Sequence, residues 1–164
     1  MPADAPEIAE VHVRSWQKAY CHILPTEYLA NLSIAERTQQ WAARIADVHS
    51  TILAAVIDNR IVGWISFGPA RDKDATARTM EVYALYVLAE HWSTGVGCAL
   101  WLACKQAALA AGASVVSLWV IRNNTRAIRF YEAAGFSVEI GHTEVFELGG
   151  VQVEEVRMSQ QIAG

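Results

Sequence analysis

The sequence predicts an α/β (mixed α+β) fold: one mixed sheet with helices on both faces. Three observations carry this. Residues 80–121 read as strand, glycine-marked loop, helix and strand, which is a βαβ crossover. A hairpin pattern precedes that unit and another follows it. Two helical stretches open the chain. The length of 164 residues, with no internal repeat, low-complexity tract or linker, suits one domain over 1–164.

The elements follow in order. Pro6 to about Tyr20 is helical, with Asp4 or Ala5 preceding a proline in the first turn and Ile8, Val11, Ser15 and Ala19 along one stripe. Pro25 to about Val48 is a second helical region, broken near Asn31-Leu32-Ser33. Ser33 followed by Glu36 is a capping-box pair for its second piece. Thr51–Ile57 and Ile61–Phe67 are strands around the turn Asp58-Asn59-Arg60, and Gly68 to Thr79 is a polar loop. Met80–Val87 is a strand rich in β-branched and aromatic residues. Gly95 to Ala111 is a helix, apolar on nearly all sides and therefore expected to be well covered, and Gly112 ends it. Val115–Ile121 is a continuous apolar strand suited to a sheet interior. Asn124–Ala134 is a short helix stopped by Gly135. Phe136–Phe146 and Val151–Met158 form a last hairpin around Gly149-Gly150.

Composition narrows the function. Hydrophobic residues are 53% and charged residues 18%, which argues against disorder. Lys+Arg of 13 against Asp+Glu of 17 argues against a nucleic-acid partner. Cys21, Cys98 and Cys104 form no disulfide framework, and the five histidines have no ligand spacing, so no metal is expected. The first residues lack the pattern of a signal peptide, and no apolar run is long enough to cross a membrane. A cytoplasmic protein without a membrane partner is expected.

Chemistry concentrates in two places. In Trp92-Ser93-Thr94-Gly95-Val96-Gly97-Cys98, both glycines fall where a helix begins. The unpaired N–H groups of that first turn, with the positive end of the helix dipole, make an anion site suited to the phosphates of a nucleotide-like ligand. A Rossmann site would need a third glycine and an acidic residue ending the next strand; a Walker loop would need Gly-Lys-Ser/Thr. Neither is present. In the second place, Asn124 and Tyr131 are seven residues apart, so they project from one helix face roughly 10 Å apart along the axis. Asn124 can cap that helix, and the Tyr131 hydroxyl can donate a proton at the far end of a long ligand.

Leu85-Tyr86-Val87, Trp92 to Gly97, Leu118-Trp119-Val120, Asn124, Ala127, Tyr131 and Gly135-Phe136 together resemble the GCN5-related N-acetyltransferase (GNAT) superfamily over Met80 to Phe136. Val11 to Trp16 and Leu24-Pro25 resemble a bacterial subgroup with unassigned substrates. The resemblance implies a largely antiparallel sheet with a central, splayed parallel pair. It implies acetyl-CoA as acyl donor and a small-molecule primary amine as acceptor. The family pattern is Gln/Arg-x-x-Gly-x-Gly/Ala, and this chain departs from it with Trp92 at the first position and Ser93 where glycine is common. Trp92 removes a cationic phosphate partner; Ser93 either crowds the pyrophosphate or bonds to it. The family's usual first strand is also not visible ahead of the first helix, which leaves a missing strand, one supplied by a partner, or a late start site.

The implied coenzyme-binding residues are Leu85, Tyr86, Val87, Trp92, Ser93, Thr94, Gly95, Val96, Gly97, Cys98, Asn124, Ala127 and Tyr131. The implied catalytic groups are a Val87 N–H for the oxyanion, Tyr131 as general acid for the leaving thiolate and Glu81 as general base. Plain strand alternation puts Glu81 on one face with Tyr83, Leu85 and Val87, and a bulge would change that register. Direct attack is expected, because Cys98 falls in the phosphate loop. Arg14, Trp16 and Tyr20 fit helix packing or the wall of an acceptor pocket. Trp119 fits core, and Arg71-Asp72-Lys73-Asp74 a solvated loop near the acceptor entrance. A non-catalytic acyl-CoA sensor and a peptide N-acetyltransferase remain as alternatives. An apolar last hairpin is compatible with a homodimer.

Overall fold

The computed structural model describes residues 2–47 and 49–163. Helix α1 (Ala5–Ala19) carries proline in its first turn and buries Ile8, Val11, Val13 and Ser15. The broken second region resolves into α2 (Thr26–Ala30) and α3 (Ile34–Ile45). Ser33 caps α3, its hydroxyl accepting from the Glu36 N–H at 3.2 Å. The expected extension of that helix to Val48 falls partly outside the described residues; the helix itself stops at Ile45.

The strands are β1 (Thr51–Ile57), β2 (Arg60–Pro69), β3 (Thr79–Val87), β4 (Val115–Ile121), β5 (Ser137–Leu148) and β6 (Val151–Gln161). Helix α4 (Val96–Ala110) joins β3 to β4, and α5 (Thr125–Ala133) joins β4 to β5. The sheet order is β1-β2-β3-β4-β6-β5, antiparallel except for β3 beside β4. Among the described residues no strand precedes α1, and β1 is an edge strand. The β1–β2 turn needs positive φ at Asp58 (49°) and Asn59 (61°), and Gly149 (61°) and Gly150 (83°) do the same between β5 and β6. These signs belong to the hairpin turns whose twist matches that of strands.

Helices α4 and α5 pack on one face of the sheet, over Ile65, Phe67, Val82, Val116, Leu118 and Met158. Helices α1 and α3 pack on the other, where Ile8, Val11 and Trp41 meet Val62 and Trp64. Next to them, α2 and the end of α1 close over Ile121 and Val153. The expectation that α4 is well covered does not hold: Leu102 is 57% and Leu109 41% exposed. A helix lying on one sheet buries one side, and here that side is Leu100, Trp101, Cys104 and Ala108.

Two irregularities position the site. Ser66 pairs with Ala84 while Phe67 pairs with Val82, so Tyr83 is an extra residue in β3. This bulge shifts the alternation. Leu85 and Val87 join Val82 in the core under α4, whereas Tyr86 and Ala84 pack toward α1. Glu81 therefore does not share a face with Leu85 and Val87, as unbulged alternation would require. The second irregularity is the β3–β4 pairing itself, which runs from Thr79↔Val115 to Val82↔Leu118 and then ends. Beyond it, Tyr83–Val87 and Trp119–Ile121 separate like the arms of a V.

Candidate active site

The V opens into a cleft of about 590 Å³. Its walls are β3 (Val82 to Val87), β4 (Trp119 to Ile121), the loop 91–98, the start of α5 and the end of α1.

One end is made of backbone. Ala99 N–H is the first in α4 to find a helical acceptor, Gly95 C=O at 2.9 Å, and Gly95 contributes no side-chain cap. The N–H groups of Val96, Gly97 and Cys98 are thus left for a ligand, at the positive end of the helix. Gly95 has φ +93° and Ser93 φ +62°. Ser93 thus keeps, without being glycine, the left-handed conformation that a glycine adopts freely. Side chains of Ser93 and Cys98, with Gly95 and Gly97, line the cleft; those of Thr94 and Val96 do not. Thr94 Oγ1 donates to His91 C=O at 2.8 Å, and Val96 packs into the core.

Trp92 has two roles the sequence did not reveal. Its Nε1–H donates to Val87 C=O at 2.8 Å, tying the loop to the end of β3. Its ring carries the Arg126 guanidinium at 4.0 Å. Arg126 and Arg129, from α5, both line the cleft. Position 92 carries no positive charge, but α5 places two such charges beside it. The signal was present as Thr-Arg-Ala-Ile-Arg, but it becomes legible only once α5 is known to face the loop.

Between the two ends lies unpaired strand. Leu88 N–H donates to Val62 C=O at 2.9 Å, which sets the phase of the β2–β3 hydrogen bonds. Alternation then turns the backbone groups of Leu85 and Val87 away from β2, toward the side that β4 has left. Val87 C=O is engaged by Trp92 and by Ser15 Oγ (3.1 Å). By the same phase the Val87 N–H faces the opening rather than β2.

Tyr131 reaches the cleft from α5, one side of its ring packed in the core with Phe130 and Phe136. It is 8% exposed. Burial pushes the phenol well above its ordinary pKa, so it stays protonated. Asn124 lines the same wall, and its Oδ1 accepts from Ala127 N–H at 3.2 Å, capping α5. Tyr20 and Tyr86 meet hydroxyl to hydroxyl at 3.4 Å inside the cleft. Of the other α1 candidates, Trp16 packs among aromatic rings, and Arg14 pairs with Glu10 and Glu90.

Glu81 is not in the cleft. It is 2% exposed and opens on a neighbouring recess of about 340 Å³, with Arg71, Asp72, Tyr83, Trp119, Glu144 and Glu155. Its carboxylate is held by Arg71, whose backbone N–H (3.0 Å) and Nε (3.1 Å) donate to Oε2 while Nη2 donates to Oε1. The segment 71–74 is not simply solvated. Asp72 accepts from Trp119 Nε1 at 3.1 Å, and Asp74 makes two 2.7 Å bonds with Arg157, a buried residue that Glu139 also engages. Trp119 stands between cleft and recess and lines both, so it is not core alone.

Among the described residues no group of three or more His, Cys, Asp or Glu is placed to hold a metal ion, and no helix is long and apolar enough to cross a membrane. Cys104 is buried, its thiol pushed up to about 12 by desolvation, and Cys98 sits among the loop amides.

Comparison with known proteins gives a consistent outcome. Bacillus subtilis YuaI, described as an uncharacterized N-acetyltransferase, is 35% identical over 153 residues, covering 93% of this chain and 85% of its own. Rv2669 of Mycobacterium tuberculosis, described in the same way, is 31% identical over 160 residues, 97% and 98% of the two chains. A crystal structure of PaiA N-acetyltransferase from Thermoplasma acidophilum with coenzyme A superposes with a TM-score of 0.74 at 22% identity, covering 98% of this chain and 94% of that one. YncA of Salmonella typhimurium, solved with acetyl-CoA, gives 0.73 at 23% identity over 100% and 91%. The family model for the acetyltransferase (GNAT) family matches residues 8–136, most of the chain, and this protein belongs to that family.

Proposed function

We propose that this acetyltransferase moves the acetyl group of acetyl-CoA to the primary amine of a small molecule by direct attack. The observation that carries the proposal is the parting of β3 and β4 after Val82 and Leu118. It leaves a cleft whose one end offers free helix N–H groups and arginines and whose other end offers a protonated phenol. Those groups fit the donor: three unpaired N–H groups, with Arg126 and Arg129, suit a diphosphate. The backbone of Leu85 and Val87 suits an amide-bearing arm laid along β3 as an added strand.

Bound there, the donor supplies an activated acyl thioester. The Val87 N–H meets the charge that develops on the carbonyl oxygen; one such donor is worth about 100- to 1000-fold in rate. Tyr131 gives its proton to the sulfur as the C–S bond breaks. A recess of 340 Å³ lined by several carboxylates favours a compact cationic acceptor over a peptide. Glu81, expected as the base, lines the neighbouring recess with both of its oxygens bonded to Arg71.

The test is a panel of small amines with acetyl-CoA, reading released thiol. Turnover by the wild type is expected, with Tyr131→Phe lowering kcat by about 100-fold or more while coenzyme affinity holds. Tight coenzyme binding with no thiol released from any amine would favour a sensor instead.

A further inference from the structure

Resting on the acetyltransfer reading, we infer that Glu155 is the carboxylate that takes the acceptor's proton, and that the acceptor enters through the recess it shares with Arg71, Asp72 and Glu144. Of the described residues lining the cleft, Glu155 is the single carboxylate, and it also lines the recess. It stands in β6 opposite Ile121 of β4 and Glu144 of β5, at the level where β4 has left β3. Alternation along β6 puts Val156 and Met158 under α4 and α5, so Glu155 points to the other face, with Val153 and Arg157.

The two proton-handling groups thus sit on opposite sides of the V. Tyr131 is on the α5 side, where sulfur would leave. Glu155 is on the α1 side, where nitrogen would arrive. Their states of engagement contrast with that of Glu81. Arg71 occupies both oxygens of Glu81, whereas among the described residues no hydrogen bond or ion pair holds the half-buried Glu155. The groups facing Glu155 are Glu144 from β5, Arg71 and Asp72 from the loop, Glu81 and Tyr86 from β3, and Tyr20 from α1. Burial first, and then Glu144, raise its pKa against the pull of Arg71. This brings a carboxylate nearer to the strength a base needs.

The step balances as follows. An acceptor held as ammonium in the recess gives one proton to Glu155, which frees its lone pair. That pair forms the N–C bond, the C–S pair passes to sulfur, and sulfur takes the Tyr131 proton. The nitrogen's next proton returns through solvent to Tyr131, and Glu155 releases its own to bulk water.

The experiment pairs Glu155→Gln with Glu81→Gln, using the amine that the panel identifies. For E155Q, kcat/KM is expected to fall about 100- to 10,000-fold, with coenzyme affinity within about twofold of wild type. The inflection that wild-type kcat/KM shows above the ordinary carboxylate range should disappear. In the free protein, carboxyl-carbon NMR should find Glu155 titrating above the ordinary glutamate value of about 4.3. E81Q should lower Tm and raise KM yet keep that inflection. Wild-type turnover with E155Q equally active, or loss of the inflection in E81Q but not in E155Q, would overturn the inference alone. A wild type that releases no thiol would overturn the acetyltransfer reading and the inference with it.

Discussion

At one end of the cleft, the groups that face a ligand are N–H groups of the loop 93–98 and two arginines of α5. At the other they are side chains gathered from β3, β4, β6 and the loop 70–78. The first end is local and made of backbone. Its geometry follows from where a helix begins, and Trp92 and Ser93 stand there in place of the usual residues. The second end is assembled from segments up to 84 residues apart in sequence, since Arg71 and Glu155 share one recess. There, the identity of each side chain decides the chemistry. Backbone geometry at one end and individual side chains at the other fit the rule that function lives in sites grafted on a fold.

The largest effect that would break this contrast is electrostatic. If Arg126 and Arg129 restore the charge that Trp92 does not supply, Arg126→Ala should weaken coenzyme A binding about tenfold, and the double alanine variant about a hundredfold. Both losses should shrink as salt rises, because these guanidiniums are exposed. Calorimetric titration at two ionic strengths measures it. Unchanged affinity in the double variant would mean that the backbone holds the phosphates alone.

A second experiment addresses the acceptor end through its scaffold. Arg157 fastens the loop 70–78 by Asp74 and joins Glu139 to it. The guanidinium holds the Asp74 carboxyl far below the ordinary carboxylate range, and Glu139 is lowered too. A carboxylate whose folded pKa is depressed contributes stability above its unfolded pKa, and that contribution is lost as pH falls through the folded value. Wild-type Tm should therefore drop on acidification from about pH 5 downward, and Arg157→Met should flatten that dependence while lowering Tm at neutral pH. Amine KM should rise in R157M, with coenzyme affinity unaltered. Scanning calorimetry from pH 3 to about 7 gives the first result and steady-state kinetics the second.

The same division explains what was legible in the sequence. Gly95 and Gly97, the Asn124 cap and the Ser33–Glu36 pair are signals within a few residues, and each element stands close to where they place it. The V between β3 and β4 followed from family resemblance rather than from spacing. The Tyr83 bulge was not legible as a position, and it decides which residues share the Glu81 face. Nor was the Arg71 bond to Glu81, since both residues read alike as polar loop and strand. Glu155 is hidden best: in Val153-Glu154-Glu155-Val156, two adjacent glutamates point to opposite faces. Glu154 pairs with Arg122 at the surface (2.8 Å), and pattern alone does not say which one turns inward.

The smallest effect sharpens the donor end itself. Ser93 holds φ +62° where glycine would be relaxed. A left-handed residue with a Cβ costs about 1–2 kcal/mol, and glycine loses about 0.5–1 kcal/mol more backbone entropy on folding. Ser93→Gly should therefore be neutral or stabilising by up to about 1.5 kcal/mol in the free protein, seen as a slight rise in Tm. The informative measurement is coenzyme affinity in the same variant. If the Ser93 hydroxyl donates to a phosphate oxygen, affinity falls several-fold despite the relaxed backbone. If the side chain only crowds that oxygen, affinity rises. The sign of that change says whether the serine is a tolerated departure from glycine or a phosphate ligand in its own right.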